Sequence, residues 1–254
     1  METLKIEKKG NYAIVELDNG KVNAINAQMG KDLKEAFEQL ESDDSVKGVI
    51  LSGRPHGVSA GLDVVSLAKG GEPYAKEFWI NYLGAVQAMT RFSKPFVCAI
   101  TGYAPAGATI LALTADYRVM GKGEKHVIGM HEFKMNMLIP QPLCEIYSYH
   151  MGEKHAWEAV QQAKLFNSDE AKEVGLVNES VEVEEVLERA EKHLKRLLYI
   201  TPITYRKSKQ FLRSGLLSIV DYDIEKEIGK IAVDTKENPD MQLLLQMFVA
   251  SLKK

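Results

Sequence analysis

Residues 96–120 read FVCAITGYAPAGATILALTADYRVM, and this stretch decides the fold class. Its first part, residues 96–101, is apolar and rich in strand-forming residues, which predicts a buried strand. After Gly107, residues 108–115 are small and apolar, which predicts a buried helix that begins beside the glycine. Residues 117–120 then predict a second short strand. A strand, a helix and a strand in such close succession indicate an α/β protein.

The same alternation continues on the N-terminal side of this stretch and just beyond it. Apolar periodicity, interrupted by Gly, Pro and Asn at the turns, predicts the remaining elements. Strands are predicted at residues 12–17, 47–52 and 126–129, and helices at residues 27–42 and 75–92. Strands that alternate with helices favour packed α/β layers.

The second half of the chain is predicted to be mostly helical. Ser168 is a candidate N-cap for a helix that begins at Asp169 and ends at Gly175. Amphipathic segments predict four more helices, at residues 183–198, 205–214, 220–233 and 241–248. No internal repeat or low-complexity linker separates them. We interpret the last helices as a small appendage that packs against another subunit.

Composition excludes several classes of protein. The chain has 254 residues and a formal net charge of −3, which argues against a nucleic-acid partner because such proteins usually carry a basic patch. The two cysteines, Cys98 and Cys144, lack the spacing of a disulfide framework. No apolar run is long enough to span a membrane, and the N-terminal residues show no signal core. We therefore expect a cytoplasmic protein, although a processed organellar protein would have the same features.

Two glycine turns are candidate hydrogen-bond donors to a substrate oxygen. In the first, Ser59-Ala60-Gly61-Leu62-Asp63, Gly61 can adopt a positive φ and Leu62 can present its N–H to a ligand. In the second, Ala104-Pro105-Ala106-Gly107-Ala108, the Gly107 N–H would lie unpaired at the positive end of a helix. Two such donors can stabilise an enolate oxygen. Each turn alone is also consistent with a purely structural role.

One carboxylate, Glu132, is the candidate base. It ends the segment Ile128-Gly129-Met130-His131-Glu132 and has mostly apolar residues around it in sequence. Apolar surroundings raise the pKa of a carboxyl group and make it a better base near neutral pH. The competing interpretation is an exposed glutamate in a polar turn, because His131 and Lys134 are neighbours. In the same segment, Asn136 is expected to adopt the left-handed conformation, which Asn tolerates.

The sequence lacks the motifs of nucleophilic catalysis, of metal binding and of nucleotide binding. The serines, the cysteines and the six histidines show neither a nucleophile elbow nor the spacing of a catalytic triad. His150 and His155 are five residues apart and would not share a helix face, as a metal-binding pair does. No phosphate loop and no dinucleotide-binding glycine pattern occurs. We therefore predict no metal site and no nucleotide cofactor.

In their order along the chain, these motifs resemble those of the crotonase superfamily, the enoyl-CoA hydratase/isomerase family. The resemblance covers most of the chain and is sharpest at residues 47–52, 59–63, 100–119 and 128–132. The segment Lys21-Val22-Asn23-Ala24-Ile25-Asn26 is similar to an Asn-Ala-Leu-Asn segment of the family. The resemblance implies an α/β fold: a spiral of ββα turns over residues 1–198 and a helical trimerisation region over residues 199–254.

The resemblance also implies the ligand and its contacts. The ligand would be an acyl-coenzyme A thioester, with coenzyme A as part of the substrate and no further cofactor. The substrate-binding loop would comprise Ala60, Gly61, Leu62, Asp63 and Val64, and His131 would contact the substrate beside Glu132. The N–H groups of Leu62 and Gly107 would form the oxyanion hole. The assembly would be a homotrimer or a dimer of trimers.

The family has two common positions for a catalytic carboxylate, and this sequence fills one of them. Hydratases carry a Glu three residues after the second oxyanion glycine, where this chain has Ile110; at the other position it has Glu132. Hydration uses two carboxylates to place a water molecule and deliver its proton. A single carboxylate is enough to move a double bond, because it can remove a proton and return it to another carbon. The pattern is most similar to 3,2-trans-enoyl-CoA isomerases of fatty acid β-oxidation, although those usually have Asn in place of His131. We therefore expect an enoyl-CoA isomerase.

Two alternatives stay open. One is another crotonase-type reaction, such as hydration, decarboxylation or thioester hydrolysis, with His131 as a second polar group. The other is a non-catalytic acyl-CoA-binding or assembly protein, since one of the two carboxylates is missing.

Two details of the site also depend on the structure. Ala106 and Ala108 stand where the family commonly has glycines, which is compatible with the fold if only Gly107 needs an unusual backbone conformation. Phe78, Trp79 and Tyr82 either shape an acyl pocket or belong to the core.

Overall fold

A six-stranded sheet forms the centre of the molecule. The computed structural model describes residues 1–55 and 57–251. The strands are β1 (Leu4–Lys9), β2 (Tyr12–Leu17), β3 (Val49–Ser52), β4 (Phe96–Ile100), β5 (Ala104–Pro105), β6 (Tyr117–Gly121), β7 (Ile128–Gly129) and β8 (Glu179–Val181). The main sheet has the order β1-β2-β3-β4-β6-β8. Among the strands of the described residues, β1 and β2 pair antiparallel and the other neighbours in the main sheet pair parallel, while β5 and β7 form a separate two-stranded parallel sheet.

Helices cover both faces of the main sheet. They are α1 (Ala27–Ser42), α2 (Val64–Arg91), α3 (Gly107–Leu113), α4 (Gln141–Met151), α5 (Glu153–Gln161), α6 (Ser168–Glu173), α7 (Val186–Leu197), α8 (Pro202–Leu212), α9 (Ser214–Ile219), α10 (Ile224–Glu237) and α11 (Pro239–Ser251). Helix α7 covers one face through Val186, Ala190 and Leu194. The larger core, with α1 to α4, lies on the other face. Both faces of β3 and β4 are buried, which explains why β4 and the first three residues of β3 are apolar.

The α/β class predicted from the sequence is confirmed, and several elements have the predicted bounds. Strand β2 and helix α1 begin and end where the periodicity placed them. Asn26 accepts a hydrogen bond from the Met29 N–H at 2.8 Å and so caps α1. Cys98 is fully buried in β4, as its apolar neighbours indicated.

Helix α2 differs from the prediction because a second helical segment precedes it. The prediction began at residue 75, after two glycines and a proline. In the structure, the Asp63 carboxylate accepts the Ser66 N–H and starts the helix at Val64. Gly71 then breaks the helix with φ 68° and ψ −172°. The glycine therefore interrupts the helix but does not delay its beginning.

Several further elements correct the sequence-based interpretation. Helix α6 is capped by Asn167 and not by Ser168, since Asn167 and Glu170 form a reciprocal capping box. Strand β1 and the helices α4 and α5 were not predicted. The segment predicted as one helix over residues 183–198 starts with a 3₁₀ turn, Val183–Glu185.

The last helices pack against α2. Helices α10 and α11 both contact it, and the Tyr222 hydroxyl donates to Leu83 O at 3.1 Å. The domain boundary placed at residue 198 stays a prediction. No helix in the described part of the chain is long and apolar enough to cross a membrane, and the cytoplasmic location stays a prediction.

Candidate active site

The first glycine turn is held against the segment that resembles Asn-Ala-Leu-Asn. The Ile25 N–H donates to Gly61 O at 2.9 Å, and the Asp63 N–H donates to Ile25 O at 2.8 Å. In such a parallel bridge Leu62 lies opposite Ile25, so its own N–H points away from that partner. Gly61 has a φ of 91°, as the sequence predicted. The turn thus leaves the Leu62 N–H free to face a ligand.

The other residues of this loop have separate structural roles. Ala60 is exposed and donates its N–H to Val22 O at 2.9 Å. The Asp63 carboxylate accepts the N–H and the hydroxyl of Ser66, at 3.0 and 2.6 Å. Val64 is the first residue of α2. The side chain of Asp63 is therefore engaged in capping the helix, and most backbone groups of the loop have partners within the fold, whereas no partner of the Leu62 N–H occurs among the described residues.

The second glycine turn has its unusual backbone conformation at Ala106 and not at Gly107. Ala106 has φ 54° and ψ −124°, in the region that glycine normally occupies. The condition stated from the sequence, that only Gly107 needs such a conformation, is therefore not met: Ala106 adopts it. Gly107 is required for space: a Cβ added to it would lie 3.1 Å from both Leu62 Cγ and Tyr82 Oη.

The two glycine turns lie side by side. A Cβ added to Gly61 would be 3.1 Å from Pro105 O and 3.9 Å from Gly107 N. Gly107 is the first residue of α3, so its N–H has no acceptor within the helix and lies at the positive end of the dipole. The structure therefore brings Leu62 and Gly107 together, as an oxyanion hole requires.

Glu132 is linked to the second turn through β5 and β7. The Ala106 N–H donates to Gly129 O at 2.8 Å, and β7 leads through Met130 and His131 to the 3₁₀ turn Glu132–Met135. Sequence analysis missed the buried Thr109, whose hydroxyl donates to Ala104 O at 2.7 Å and accepts from Gly129 N at 2.8 Å. A lone hydroxyl inside the small apolar run of α3 is the signal that indicates such a contact.

Glu132 as a whole is half-buried, but its carboxylate Oε2 atom is inaccessible to solvent, which contradicts the exposed-turn interpretation. Its Oε2 atom has no hydrogen-bond partner among the described residues. Burial raises its pKa to about 7, although the N–H groups of Glu132 and His131 oppose the shift. The turn ends at Asn136, which has φ 50° and ψ 29°, so the predicted left-handed conformation is confirmed. Glu132 can therefore exchange a proton near neutral pH.

The neighbours of Glu132 supply no second carboxylate on α3. Ile110 is fully buried in that helix. His131 is half-buried, and burial together with the charge of Lys134 lowers its pKa, so the imidazole is neutral at neutral pH. Its Nδ1 atom is buried without a hydrogen-bond partner among the residues described.

The three aromatic residues of α2 form one cluster. Phe78 stacks on Tyr82 with ring centroids 5.8 Å apart, and Trp79 meets both rings edge-on. Phe78 and Tyr82 are fully buried, which favours the core interpretation for these two, whereas Trp79 is only partly buried. The Tyr82 hydroxyl also donates to Gly107 O at 2.9 Å. The cluster thus holds the second glycine turn in place through the hydrogen bond from Tyr82 to Gly107 O.

Two side chains of helix α4 respond to the charge of Glu132. Burial and the charge of Glu132 raise the pKa of both Cys144 and Tyr147. Sequence analysis did not predict α4, so it gave Tyr147 no role. Within residues 1–55 and 57–251, no group of three His, Cys, Asp or Glu side chains is arranged to bind a metal ion.

Comparison with known proteins agrees with this geometry. A family model described as enoyl-CoA hydratase/isomerase matches residues 7–253. The mitochondrial enoyl-CoA delta isomerase 1 of Mus musculus is 29% identical over 256 residues, which cover 99% of this chain and 87% of the relative. A putative enoyl-CoA hydratase of Thermus thermophilus is 32% identical over 209 residues, 81% of each chain.

A solved structure shows the same fold over nearly the whole chain. The human mitochondrial delta3-delta2-enoyl-CoA isomerase superposes with a TM-score of 0.88 at 28% identity, covering 99% of this chain and 98% of that one. The crotonase-type fold inferred from the sequence is thereby confirmed. Both isomerases and hydratases are among the relatives, so the comparisons alone do not select one reaction.

Proposed function

The chain belongs to the enoyl-CoA hydratase/isomerase family, and we propose that within it the protein is an isomerase. It would convert a 3-enoyl-CoA of fatty acid β-oxidation into the 2-trans-enoyl-CoA. The proposal assigns the proton transfer to Glu132 and the stabilisation of the thioester oxygen to the N–H groups of Leu62 and Gly107. Coenzyme A is part of the substrate, and no further cofactor is assigned.

Proton transfer by one carboxylate accounts for the whole reaction. Ionised Glu132 removes a proton from C2 of the substrate, and the electrons of that bond delocalise onto the thioester oxygen. The N–H groups of Leu62 and Gly107 donate hydrogen bonds to this oxygen as its charge grows. Glu132 then returns the proton to C4, using the electron pair of the C3–C4 double bond. The charge leaves the oxygen as the C2–C3 double bond forms.

The observation that carries the proposal is the contrast between Glu132 and Ile110. Glu132 is half-buried with an inaccessible Oε2 atom and a pKa of about 7, which suits a group that must both take and return a proton. Ile110 is fully buried and apolar at the position where hydratases carry a second carboxylate. A water molecule that attacks the double bond would lack one of its two acid/base partners there.

Hydration is the second candidate function, and one observation favours it. The buried His131 Nδ1 has no partner in the described part of the chain and lies beside Glu132 in sequence. A neutral imidazole can hold a water molecule, so His131 could replace the missing carboxylate. The similarity to relatives named as hydratases also supports this candidate function.

Product analysis separates the two functions. The purified protein is incubated with a 3-enoyl-CoA and, separately, with the 2-trans-enoyl-CoA of the same chain length. We expect isomerisation at least about 10²-fold faster than formation of a 3-hydroxyacyl-CoA, because one general acid–base contribution to hydration is absent. Hydration as fast as isomerisation would assign the protein to the hydratases. Tight binding without turnover would instead favour a binding protein.

The Glu132→Gln variant is the matched control for this assay. It keeps the size of the side chain but removes the basic oxygen. We expect the isomerisation rate to fall at least about 10²-fold while acyl-CoA affinity stays within a few-fold of the parent. A variant that retains most of its turnover would remove Glu132 from the mechanism.

We also propose that the chain forms a homotrimer or a dimer of trimers through its C-terminal helices. Large apolar side chains are exposed around α8, including Tyr199, Ile203, Phe211 and Leu212. Exposed apolar clusters of this kind mark interaction surfaces in monomeric structures.

A further inference from the structure

The hydroxyl of Tyr82 is bonded to the residue that supplies the second proposed oxyanion donor. It donates to Gly107 O at 2.9 Å. A Cβ added to Gly107 would lie 3.1 Å from Tyr82 Oη and 3.1 Å from Leu62 Cγ. The place that a side chain of Gly107 would occupy is therefore filled by the Tyr82 hydroxyl and by Leu62, the residue of the first proposed donor.

This hydrogen bond is not needed to satisfy the carbonyl group of Gly107. Gly107 is the first residue of α3, so its C=O accepts the Leu111 N–H one turn later in the regular helical pattern. A carbonyl oxygen has two lone pairs, and the Tyr82 hydroxyl occupies the second one. The hydrogen bond therefore adds a fixed point outside α3 for the residue whose N–H is the proposed donor.

The turn before Gly107 needs such a fixed point. Ala106 has φ 54° and ψ −124°, and its ψ torsion sets the direction of the Gly107 N–H. A strained conformation of this kind persists only when the surrounding structure over-determines it. On the N-terminal side of the turn, the Ala106 N–H donates to Gly129 O at 2.8 Å. On the C-terminal side, the Tyr82 hydroxyl holds Gly107 O.

Tyr82 is itself firmly placed by its surroundings. A Cβ added to Gly30 of α1 would lie 2.8 Å from Tyr82 N, so the backbone of α2 packs directly on α1 at this residue. The Tyr82 ring is fully buried and stacks on Phe78 with centroids 5.8 Å apart. Because close-packed interiors hold side chains in single rotamers, the hydroxyl reaches a defined point.

The hydroxyl of Tyr82 is not available for proton transfer. Burial raises the pKa of the phenol well above its usual value, so it stays protonated. Its single O–H is donated to Gly107 O, which leaves no proton to give to a substrate. Two roles are then left. Gly107 O either merely satisfies a buried phenol, or is held by it for catalysis, and the two roles differ in what loss of the hydroxyl does to the rate.

We propose that Tyr82 is a positioning residue, whose hydroxyl holds Gly107 so that its N–H, together with that of Leu62, meets the thioester oxygen of the substrate. The proposal rests on the proposed function in one respect, namely that these two N–H groups form the oxyanion hole. Charge grows on that oxygen as the transition state is approached, so a displaced donor weakens transition-state binding more than substrate binding. In this role Tyr82 itself contacts no reacting atom.

The test compares Tyr82→Phe with Tyr222→Phe, its matched control. Tyr82→Phe removes the hydroxyl and keeps the ring that stacks on Phe78. The Tyr222 hydroxyl donates to Leu83 O at 3.1 Å, so each variant loses one hydrogen bond from a tyrosine to a helix carbonyl. Both carbonyls keep their helical N–H partner, so both variants should fold, with similar small losses of stability in urea unfolding.

Kinetics with a 3-enoyl-CoA test the role during turnover. Complete loss of one oxyanion donor costs about 10²–10³-fold in kcat, and a displaced donor costs part of that. We therefore expect Tyr82→Phe to lower kcat about tenfold with KM changed less than about threefold, and Tyr222→Phe to keep kcat within about twofold of the parent. Equal falls of kcat in the two variants, an unchanged kcat in Tyr82→Phe, or an effect confined to KM would overturn the proposal.

A measurement without turnover separates this proposal from the proposed function. Hexanoyl-CoA, a saturated thioester labelled with ¹³C at its carbonyl carbon, is added to each protein, and infrared spectroscopy gives the carbonyl stretching frequency. Hydrogen bonds from the oxyanion hole polarise the carbonyl and lower this frequency relative to the free thioester in water.

We expect Tyr82→Phe, but not Tyr222→Phe, to lose part of this infrared shift. If it does so while the parent does not isomerise a 3-enoyl-CoA, the proposed function fails and the role of Tyr82 stands. A shift that is absent in the parent, or that Tyr82→Phe leaves unchanged, would overturn the proposal and leave Tyr82 as a packing residue.

Discussion

Ala106 carries a backbone conformation that its side chain disfavours. Its φ of 54° and ψ of −124° fall where glycine is the usual residue, yet the chain must turn there so that Gly107 can begin α3. Conformations of this kind cost about 1–3 kcal/mol and cluster at functional sites. The neighbouring turn residue Gly61 has no such cost, because it is a glycine with a positive φ.

Ala106→Gly should therefore stabilise the protein. Relief of the strain exceeds the extra chain entropy that glycine loses on folding, for a net gain of about 1 kcal/mol. Urea unfolding of parent and variant measures this difference. Ala108→Gly is the control: Ala108 lies inside α3, so that change should destabilise the fold. Destabilisation by Ala106→Gly would mean that the turn is not strained.

The raised pKa of Glu132 predicts how activity depends on pH. Only the ionised carboxylate can remove the C2 proton, so kcat/KM should fall tenfold per pH unit below about pH 7. The profile is measured with a 3-enoyl-CoA at subsaturating concentration. An acid limb near the ordinary glutamate pKa of about 4.3 would contradict the burial of this carboxylate.

The raised pKa of Glu132 also predicts that this side chain destabilises the folded protein at neutral pH. A carboxyl group whose folded pKa is raised favours folding below its unfolded pKa of 4.5, and this advantage is lost as pH rises through about 7. Glu132→Gln should therefore be more stable than the parent above pH 7, by up to about 3 kcal/mol, and similar to it near pH 4. Thermal unfolding at the two pH values checks the difference.

At the scale of elements, the short pair of strands β5 and β7 joins the two halves of the site. Strand β5 leads into Gly107, and β7 leads into Glu132. Thr109 locks the pair, because its buried hydroxyl bridges Ala104 O and Gly129 N. The spacing between the proposed oxyanion donor and the base therefore depends on Thr109 and its two backbone partners.

Thr109→Val should damage both stability and rate. The change keeps the shape of the side chain but leaves a buried N–H and a buried C=O without their partner, which costs about 1–3 kcal/mol. We expect kcat to fall more than substrate affinity, because the geometry of Gly107 and Glu132 is disturbed. Thr109→Ser keeps the hydroxyl and is the control in urea unfolding and in kinetics. Equal losses in both variants would assign the effect to packing.

Some elements could be predicted from the sequence because their local signals agree with their tertiary setting. Helix α1 has an apolar stripe and an Asn cap, and β2 has an alternating pattern. Strand β1 was missed because it lies at the sheet edge with mostly exposed, charged residues. Helix α4 was missed because its apolar and aromatic residues show no clear stripe; its packing on α3 and α5 decides its structure.

The site was only partly predictable, because its residues come together through contacts between distant parts of the chain. Gly61, Gly107 and Glu132 could be singled out one by one, but each also had a structural interpretation, which the local sequence alone favoured for the Gly61 turn and for Glu132. Their convergence depends on the Ile25–Leu62 bridge and on the β5–β7 pair, which join residues far apart in sequence. Thr109 acts through such a long-range contact, so no local pattern identified it.

At the scale of the whole molecule, α8 and its flanks expose a large apolar surface. Tyr199 is 91% exposed and Leu212 is 82% exposed, with Phe211 and Ile203 nearby in sequence. We expect the parent to be a trimer or hexamer by light scattering, and Phe211→Glu combined with Leu212→Glu to reduce its mass. The control is Ile6→Glu, a change at an exposed position of β1. A monomeric parent would contradict the proposed assembly.

The central claim is that one carboxylate both removes and returns the proton, and an isotope label tests it most directly. The unaltered protein is given a 3-enoyl-CoA that carries deuterium at C2, and the 2-trans-enoyl-CoA product is examined by ²H NMR. Because the buried Glu132 holds the deuteron between the two steps, we predict that a measurable share of the label appears at C4 of the product. Complete replacement of the label by solvent hydrogen at C4, from the first turnovers onward, would contradict the single-carboxylate mechanism.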